Sequence, residues 1–219
     1  MNKKARILIV DDVTNNIQVL GQMLKEFRYN INIANNGVQA LEVLSKTMPD
    51  LILLDVMMPE MDGYETIKHI RSNEKYRDIP VIFLTAKSEP EDVAKGFELG
   101  AVDYVTKPFN AIELMARVKN HLELKEAREI KSKIRQIEMY RAMVVTANHN
   151  IAQPLNVISG NLELIQIYNE DKLDSRTKQC IKNALDASET IKELLHKLEE
   201  IEKPELIDYA MNEKMLDIK

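Results

Sequence analysis

The chain has a single cysteine, no long apolar run and no excess of basic residues. Because Cys180 is alone among the 219 residues, an internal disulfide is excluded, and we expect a cytoplasmic protein in a reducing environment. No apolar stretch approaches the roughly 20 residues that a membrane-spanning helix needs. The formal net charge is −5 and neither half of the chain is basic, which argues against a nucleic-acid partner.

Strand and helix patterns alternate over the first half of the chain. The predicted strands are 6–10, 30–34, 51–54, 81–84 and 102–105, and the predicted helices are 14–27, 38–46, 64–73, 91–99 and one that begins near Asn110, a suitable N-cap. This alternation predicts an α/β fold in which helices cover both faces of a parallel sheet. With 45% apolar residues, the chain can build a sizeable core.

The second half changes character after about residue 119. From 111 to 167 the sequence contains one glycine, Gly160, and one proline, Pro154. Apolar residues keep a heptad register that only Arg141 and Asn148 interrupt, at Ile130, Ile134, Ile137, Val144, Ile151, Leu155, Ile158, Leu162 and Ile165. This pattern is typical of a coiled-coil or bundle helix.

A polar break at 169–174 separates this helix from a second one, predicted from 175 to about 202 and ended by Pro204. The second helix carries its apolar residues on one face, at Ile181, Ala184, Leu185, Ile191, Leu195 and Leu198. Two long helices joined by a short loop predict an all-α hairpin with one uncovered apolar stripe. We expect two copies to form a homodimeric four-helix bundle; the alternative is a hairpin that packs on the first half of its own chain.

Acidic side chains follow the first and third predicted strands. The apolar run 51–54 leads directly into Asp55, and the first strand leads into Asp11 and Asp12. Because the carboxyl ends of parallel strands share one edge of the sheet, the three carboxylates should converge and raise one another's pKa. A Mg²⁺ ion, which takes a few carboxylates and keeps places for water and phosphate, would resolve this conflict. A single aspartate after a strand is more often a turn residue, so the interpretation depends on the set.

The fourth and fifth strands add groups of another kind at the same edge. Thr85 supplies a hydroxyl and Ala86 a backbone N–H after the fourth strand, and Lys107 supplies an ammonium after the fifth. Carboxylates, a metal ion, a hydroxyl and an ammonium together would hold a phosphoryl group.

The stretch from Arg6 to about Leu122 resembles the receiver domain of bacterial two-component response regulators. The matching pieces, in order at successive strand ends, are Val10-Asp11-Asp12, Leu54-Asp55-Val56-Met57-Met58-Pro59, Met61-Asp62-Gly63, Leu84-Thr85-Ala86 and 100–109. The resemblance implies a doubly wound, flavodoxin-like and CheY-like sheet of strand order 2-1-3-4-5. It also implies partners, namely a cognate histidine kinase or phosphotransfer protein and a downstream receiver.

The same resemblance assigns roles to the pocket residues. It implies that Asp55 accepts a phosphoryl group from a phosphohistidine. Asp11, Asp12, Asp55 and the backbone carbonyl of Met57 would hold Mg²⁺. Lys107 would pair with a phosphoryl oxygen and Thr85 would bond another. Tyr104 matches the aromatic switch residue, and the peptide between residues 107 and 108 is expected to be cis.

Among the four histidines, His149 lies beside the seam position Asn148 and five residues before Pro154. The other three, His69, His121 and His196, lie in charged helical surroundings and are interpreted as surface residues. The segment 148–158 resembles the H-box of histidine kinases, and 139–203 resembles their dimerisation and phosphotransfer domain. The resemblance implies that His149 is a second phosphotransfer site; the alternative is an ordinary surface histidine.

Two positions depart from the H-box pattern. Asn150 stands where the family usually has an acid that orients the imidazole and can take its proton. An amide can hydrogen-bond the ring but cannot accept that proton, which weakens the case for ATP-driven phosphorylation. Gln153 stands where kinases with phosphatase activity often carry Thr or Asn; glutamine can still orient a water, which leaves that activity open.

These interpretations divide the chain into a receiver domain (1–122), a helical linker (123–143), a phosphotransfer hairpin (144–203) and a tail (204–219). After Pro204 only fifteen residues remain, so we expect no ATP-binding domain in this chain. The predicted function is phosphorelay, either as a fragment of a hybrid histidine kinase or as a stand-alone phosphotransfer protein. The alternative is a receiver-controlled dimeric scaffold in which His149 is not phosphorylated.

Overall fold

The computed structural model describes residues 4–86, 90–169 and 171–201, apart from the side chains of residues 90, 91 and 199–201. The strands are β1 (Arg6–Val10), β2 (Asn30–Ala34), β3 (Leu51–Asp55), β4 (Val81–Thr85) and β5 (Asp103–Thr106). The helices are α1 (Thr14–Glu26), α2 (Gly37–Lys46), α3 (Gly63–Ser72), α4 (Pro90–Glu98), α5 (Ala111–Tyr168) and α6 (Ser175–Ile201). The chain divides into two compact units, Met1–Lys131 and Ser132–Lys219.

In the first unit the strands form a parallel sheet of order β2-β1-β3-β4-β5, which confirms the predicted α/β topology. Every residue of β3 and β4 is buried. Such burial on both faces explains why these strands read as continuous apolar runs rather than as an alternating pattern.

Alternation along the strands builds two hydrophobic cores, one on each face of the sheet. On β3, Leu51 and Leu53 pack with residues of α1 and α5, whereas Ile52 and Leu54 pack with residues of α2 and α3. Each side chain of this size stabilises the fold by about 1.5–3 kcal/mol when it is fully buried. The two cores therefore hold the sheet rigidly, and with it the residues at the strand ends.

The predicted element ends in the first unit are correct to within one residue. Asn110 caps α5 as expected, since its Oδ1 accepts hydrogen bonds from the N–H groups of Ile112 and Glu113 at 2.9 and 3.1 Å. The strands β3 and β4 each continue one residue further than predicted, because pairing extends to Asp55 and Thr85. These two polar residues are consequently held by the sheet itself rather than by a loop.

In the second unit, α5 continues through Pro154 and is followed by α6, as a helical hairpin requires. The two helices meet through buried polar groups as well as apolar ones. Asn148, which is 4% exposed, donates from Nδ2 to the carbonyl of Leu195 at 3.2 Å, and the hydroxyls of Ser159 and Ser188 hydrogen-bond each other. Asn148 thus lies in the seam, at the position where the heptad register placed it. The C-terminal limit of the second helix, Pro204 and the tail lie outside the described residues.

A stripe of large apolar side chains stays exposed along the hairpin, and we call it the hairpin stripe. Its members are Ile151, Ile158, Ile165, Ile191, Leu194 and Leu198, and each is at least 39% exposed. Their exposure is in keeping with the prediction that the hairpin leaves apolar residues uncovered. Large apolar side chains exposed in such number are unusual unless a partner covers them.

None of the helices among residues 4–86, 90–169 and 171–201 is both long enough and apolar enough to cross a bilayer.

Candidate functional site

The acidic pocket is built by the carboxyl ends of β1 and β3. Val10 pairs with Leu54, so the residues that follow, Asp11 and Asp55, are neighbours at one edge of the sheet. Asp11 is fully buried, Asp55 is 5% exposed and Asp12 is exposed. Carboxylate oxygens of all three lie within 4.8 Å of one another. The structure therefore brings together the three acids that the sequence placed at this edge.

Lys107 reaches this pocket from the end of β5. Pairing of Thr85 with Thr106 brings the end of β5 alongside β4, and the Lys107–Pro108 peptide is cis, as the resemblance implied. The Lys107 Nζ atom lies 2.8 Å from Asp11 Oδ2 and 2.6 Å from Asp55 Oδ2. One ammonium thus bridges the two buried carboxylates.

Burial and the neighbouring charges shift the pKa values of Lys107 and Asp55 in opposite directions. Burial lowers the pKa of Lys107, but its hydrogen bonds to Asp11 and Asp55 outweigh that effect and raise the pKa above the ordinary value. Lys107 therefore remains an ammonium at neutral pH. Burial also raises the pKa of Asp55, while the hydrogen bond from Lys107 works against this rise.

The donor set of the pocket fits a hard divalent cation. Three carboxylates and one ammonium leave the pocket with a formal charge of −2, which one divalent ion balances. Oxygen ligands within 4.8 Å of one another suit Mg²⁺, which prefers one or two carboxylates, waters and phosphate oxygens. The residues present are consequently those that a magnesium site would need.

Two polar contacts of Asp11 were not predicted from the sequence. Asn16 in the first turn of α1 donates from Nδ2 to both carboxylate oxygens of Asp11 at 3.0 Å, and the N–H of Val13 donates to Oδ1 at 2.9 Å. Asparagine is common in turns and loops, so its type alone carries no signal here. Asp11 follows β1 whereas Asn16 lies in α1, so no periodicity within one element links the two residues. Asn16 fixes the orientation of a buried carboxylate.

The remaining predicted site residues lie around the pocket with different exposures. Thr85 is 7% exposed, whereas Ala86 is exposed. Met57 has an exposed side chain, and its N–H lies 3.4 Å from Asp55 Oδ1. Tyr104 is half-buried, stacks edge-on against Phe97 and lines a pocket with Thr85. The aromatic ring and the threonine thus share one small space.

Gly63 permits the loop after β3 to approach Asp55 closely. A Cβ atom at this position would lie 2.3 Å from the carbonyl oxygen of Asp55, a distance that real Cβ atoms do not tolerate. The N–H of Gly63 donates to the carbonyl of Val56 at 2.9 Å. The glycine therefore keeps the loop packed against the backbone of the candidate acceptor residue.

A second cluster of charged residues surrounds Asp103 at the start of β5. Arg117 Nη1 lies 2.7 Å and His121 Nε2 lies 3.1 Å from its carboxylate, and the N–H of Tyr104 donates to Oδ1 at 2.9 Å. Burial raises the pKa of Asp103, but these hydrogen bonds outweigh burial and hold the pKa below the ordinary value of 3.8. The His121 side chain is only 13% exposed, so its interpretation as a surface residue was wrong.

The depressed pKa of Asp103 predicts a pH dependence of stability. Because the folded pKa lies below the unfolded one, the contribution of Asp103 is fully present above about pH 5 and is lost as the pH falls below 3.8. We expect Asp103→Asn to lower the free energy of unfolding at pH 7 by about 1–2 kcal/mol and to weaken its decline between about pH 5 and 3.

Urea unfolding at a series of pH values measures this effect. Asp78→Asn, at an exposed aspartate of the same unit, is the matched control and should keep the wild-type dependence. Identical pH profiles for the wild type and Asp103→Asn would contradict the assignment.

In the second unit, the predicted residues His149 and Asn150 are both exposed on α5. His149 Nε2 lies 3.0 Å from Gln153 Nε2, one helical turn further along. Sequence analysis identified Gln153 by its position in the H-box, but it did not predict the contact between Gln153 and His149. His149 is thus accessible, and its ring already has a side-chain hydrogen-bond partner.

Comparison with known proteins identifies both parts of the chain. Residues 7–119 match the family model of the response regulator receiver domain. Residues 139–206 match that of the His Kinase A (phospho-acceptor) domain. The first match alone covers just over half of the 219 residues.

The similar proteins share the first of these parts. A probable cyclic di-GMP phosphodiesterase of Vibrio cholerae serotype O1 is 52% identical over 124 residues, which are 57% of this chain and 28% of that protein. The receiver domain of a signal transduction histidine kinase from Syntrophus aciditrophicus has a TM-score of 0.52 and 42% identity, covering 54% of this chain and 90% of that one.

A further similar structure is the receiver domain of sensor histidine kinase PA1611 from Pseudomonas aeruginosa PAO1, solved with a magnesium ion coordinated in its active site cleft. It has a TM-score of 0.52 and 31% identity, over 55% of this chain and 99% of that one. Together with the five-stranded sheet, the acidic pocket and the two matched regions, these likenesses lead to one conclusion. The chain belongs to the response regulator receiver family, and its receiver domain is followed by a His Kinase A phospho-acceptor domain of two-component phosphorelay signalling.

Proposed function

We propose that Asp55 is the phosphoryl acceptor of a Mg²⁺-dependent phosphorelay. The observation that carries this proposal is the bridge from Lys107 Nζ to Asp11 and Asp55 within a cluster of three carboxylates. A buried structural ion pair would need one acid for one base. Lys107 balances only one of the two buried acids, Asp11 and Asp55, and Asp12 lies beside them. The excess negative charge is costly unless a cation is bound there.

The residues of the chain account for the transfer step. A carboxylate oxygen of Asp55 attacks phosphorus, the P–N bond of the donor phosphohistidine breaks, and the imidazole leaves with the electron pair. Lys107, whose Nζ lies 2.6 Å from Asp55, would hold a phosphoryl oxygen by charge. The Thr85 hydroxyl, at the adjoining strand end, would bond another oxygen once the group is attached.

Asp11, Asp12 and Asp55, with the carbonyl of Met57, would hold the metal ion. When bound, Mg²⁺ supplies positive charge to the phosphoryl oxygens during transfer. Asn16 keeps the buried Asp11 carboxylate oriented toward the pocket. Two observations support this choice of metal: the donor set, and the magnesium ion named in the similar receiver from P. aeruginosa.

Replacement of Asp12 tests the metal requirement with little risk to the fold, because its side chain is exposed. We expect Asp12→Asn to bind Mg²⁺ much more weakly and to be phosphorylated by acetyl phosphate at least about 100-fold more slowly at low Mg²⁺. Calorimetric titration with Mg²⁺ and intact-protein mass spectrometry measure the two effects.

Thermal unfolding of Asp12→Asn should match the wild type without Mg²⁺, and EDTA should reproduce its labelling defect in the wild type. Unchanged Mg²⁺ affinity in Asp12→Asn, or full labelling in EDTA, would contradict the proposed metal site.

His149 is proposed as the second phosphotransfer residue. It is exposed on α5, inside the region that matches the His Kinase A phospho-acceptor domain. The acceptor nitrogen of an exposed imidazole is accessible to a donor aspartyl phosphate without opening of the hairpin. Asn150 cannot take the imidazole proton, so the proposed donor is an acyl phosphate rather than ATP.

The hairpin stripe supports a homodimer. Six large apolar side chains at least 39% exposed would remain in water in a single copy. A second copy of this chain presents the same stripe, so two copies can cover it in a symmetric four-helix bundle. The proposed partners are therefore a second copy, a histidine kinase or phosphotransfer protein that supplies Asp55, and a downstream receiver.

A further inference from the structure

The side chain of Gln153 is in contact with the reactive ring of the second unit. Residues four apart on an α-helix face each other, and here the Gln153 Nε2 atom lies 3.0 Å from His149 Nε2. Both residues are exposed on α5, and their turn is anchored on its inner side by the hydrogen bond from the buried Asn148 to Leu195. The backbone that carries the pair is thus held in place.

In the structure the amide nitrogen of Gln153, and not its amide oxygen, faces His149 Nε2, and this orientation sets the direction of the hydrogen bond. A glutamine amide nitrogen carries two hydrogens and can only donate. His149 Nε2 must then accept, which requires a neutral ring with its hydrogen on Nδ1. We propose that Gln153 is a positioning residue that selects the tautomer of His149 whose lone pair lies on Nε2. This inference deepens the proposed phosphotransfer role of His149 and rests on it for its functional meaning.

The selected tautomer is the one that can react at Nε2 without moving a proton first. The Nε2 lone pair forms the bond to phosphorus, the bond between phosphorus and the leaving carboxylate oxygen breaks, and that oxygen keeps the electron pair. The ring then carries a positive charge and releases the Nδ1 hydrogen to water. In the other tautomer Nε2 bears the hydrogen, so no lone pair is available there. Gln153 must swing aside as the donor approaches, which a side chain on the helix surface does readily.

This role depends on the amide and not on the size of the side chain. A glutamate at position 153 has the same length but only accepts hydrogen bonds when it is ionised. A glutamate at this position would accept a hydrogen bond from the Nε2–H tautomer of His149 and so favour the opposite tautomer. An alanine makes no hydrogen bond to the ring, so the preference for either tautomer would be lost. The pair of substitutions Gln153→Glu and Gln153→Ala therefore separates hydrogen-bond direction from packing.

The test is nitrogen-15 NMR of the His149 ring in the full chain, at an alkaline pH where imidazole rings are neutral. Long-range proton–nitrogen spectra distinguish the protonated ring nitrogen from the one with the lone pair. We expect more of the Nδ1–H form in the wild type than in Gln153→Ala, and less of it in Gln153→Glu than in Gln153→Ala. In Gln153→Ala the ratio of the Nδ1–H form to the Nε2–H form should fall about twofold relative to the wild type, the effect of one hydrogen bond between exposed residues one turn apart on a helix.

Gln179→Ala is the matched control, because Gln179 makes a similar one-turn hydrogen bond to Asn183 on α6, at 2.9 Å. It should leave the His149 spectrum unchanged. The same tautomer ratio in the wild type, Gln153→Ala and Gln153→Glu would overturn the inference. Because the spectra need no phosphorylation, a histidine that shows this selection yet takes no phosphoryl group from acetyl phosphate or from a phosphorylated receiver would overturn the proposed role of His149 and not the selection by Gln153.

Discussion

Substitution of Asp55 by asparagine is expected to reduce phosphorylation of the receiver unit by acetyl phosphate to background. The amide has nearly the shape of the carboxylate but is a far weaker nucleophile, so the bond to phosphorus does not form. Lys107 keeps its 2.8 Å contact with Asp11, which should preserve the pocket. Intact-protein mass spectrometry and peptide mapping measure the loss and locate any remaining label.

Asp50→Asn is the matched control, because Asp50 directly precedes the same strand at its opposite end. It should retain wild-type labelling, although it weakens the ion pair that Asp50 makes with Lys125 at 3.1 Å. Undiminished label on Asp55→Asn would show that another residue is the acceptor.

The same Asp55→Asn protein separates the two functions considered for the hairpin. With a histidine-kinase or phosphotransfer donor and its receiver intermediate, label that is labile to acid and stable to base belongs on His149. Such label supports the phosphorelay with two acceptor residues. Its absence with every donor would favour a dimeric scaffold in which His149 is chemically idle.

The second large effect is expected at the hairpin stripe. We expect Ile151→Lys together with Ile158→Lys to convert the proposed dimer into a monomer, since these side chains are 46% and 54% exposed in a single chain. Burial of each isoleucine contributes about 2 kcal/mol and a dimer contains four of them, so the dissociation constant should rise at least about a thousandfold. Sedimentation equilibrium over a range of concentrations measures this change.

Thr146→Lys together with Asn156→Lys is the control, since it adds the same charge at two exposed polar positions of α5. It should remain dimeric. A wild-type chain that sediments as a monomer at all accessible concentrations would refute the homodimer, and an equal effect of both double variants would assign the result to charge alone.

The receiver pocket was predictable because strand periodicity and topology act together. Asp11, Asp55, Thr85 and Lys107 each lie at or just after the end of a strand, and parallel strands end at one edge. Residues far apart in the chain could thus be placed together without coordinates. The predicted ends of β3 and β4 fall one residue before the observed ends. The final residue of each strand is polar, so its pairing with the neighbouring strand is not visible in the hydrophobic pattern.

Contacts between side chains were harder to predict than positions along the chain. Asn16 at the pocket, His121 at Asp103 and Lys125 at Asp50 are all polar residues on helices, where the sequence pattern indicates only a face directed away from the core. Whether such a residue is solvated or paired depends on how its helix lies against a strand end. A burial pattern alone does not contain that information.

In the helical half, the positions of the helices were easier to predict than the exposure of individual apolar residues. The heptad register correctly indicated the first long helix and placed Asn148 in the seam, and the apolar face from Ile181 to Leu198 indicated the second helix. It did not distinguish seam residues that face α6 from those left exposed, such as Ile151 and Ile158. Seam residues that face α6 and seam residues that stay exposed recur with the same spacing in the sequence. Only the packing of the two helices distinguishes them. The Gln153 contact with His149 likewise follows from side-chain geometry, although the one-turn spacing was visible in the sequence.

The central claim is that Asp11, Asp12, Asp55, Thr85 and Lys107 form one magnesium-dependent receptor for a phosphoryl group. A crystal structure of the chain with Mg²⁺ and beryllofluoride, a mimic of an attached phosphoryl group, tests it most directly. The account predicts beryllofluoride on a carboxylate oxygen of Asp55, with Lys107 and Thr85 contacting its fluorides and a magnesium ion bound by the three acids. Beryllofluoride elsewhere, or an acidic pocket that binds neither species at saturating concentrations, would contradict it.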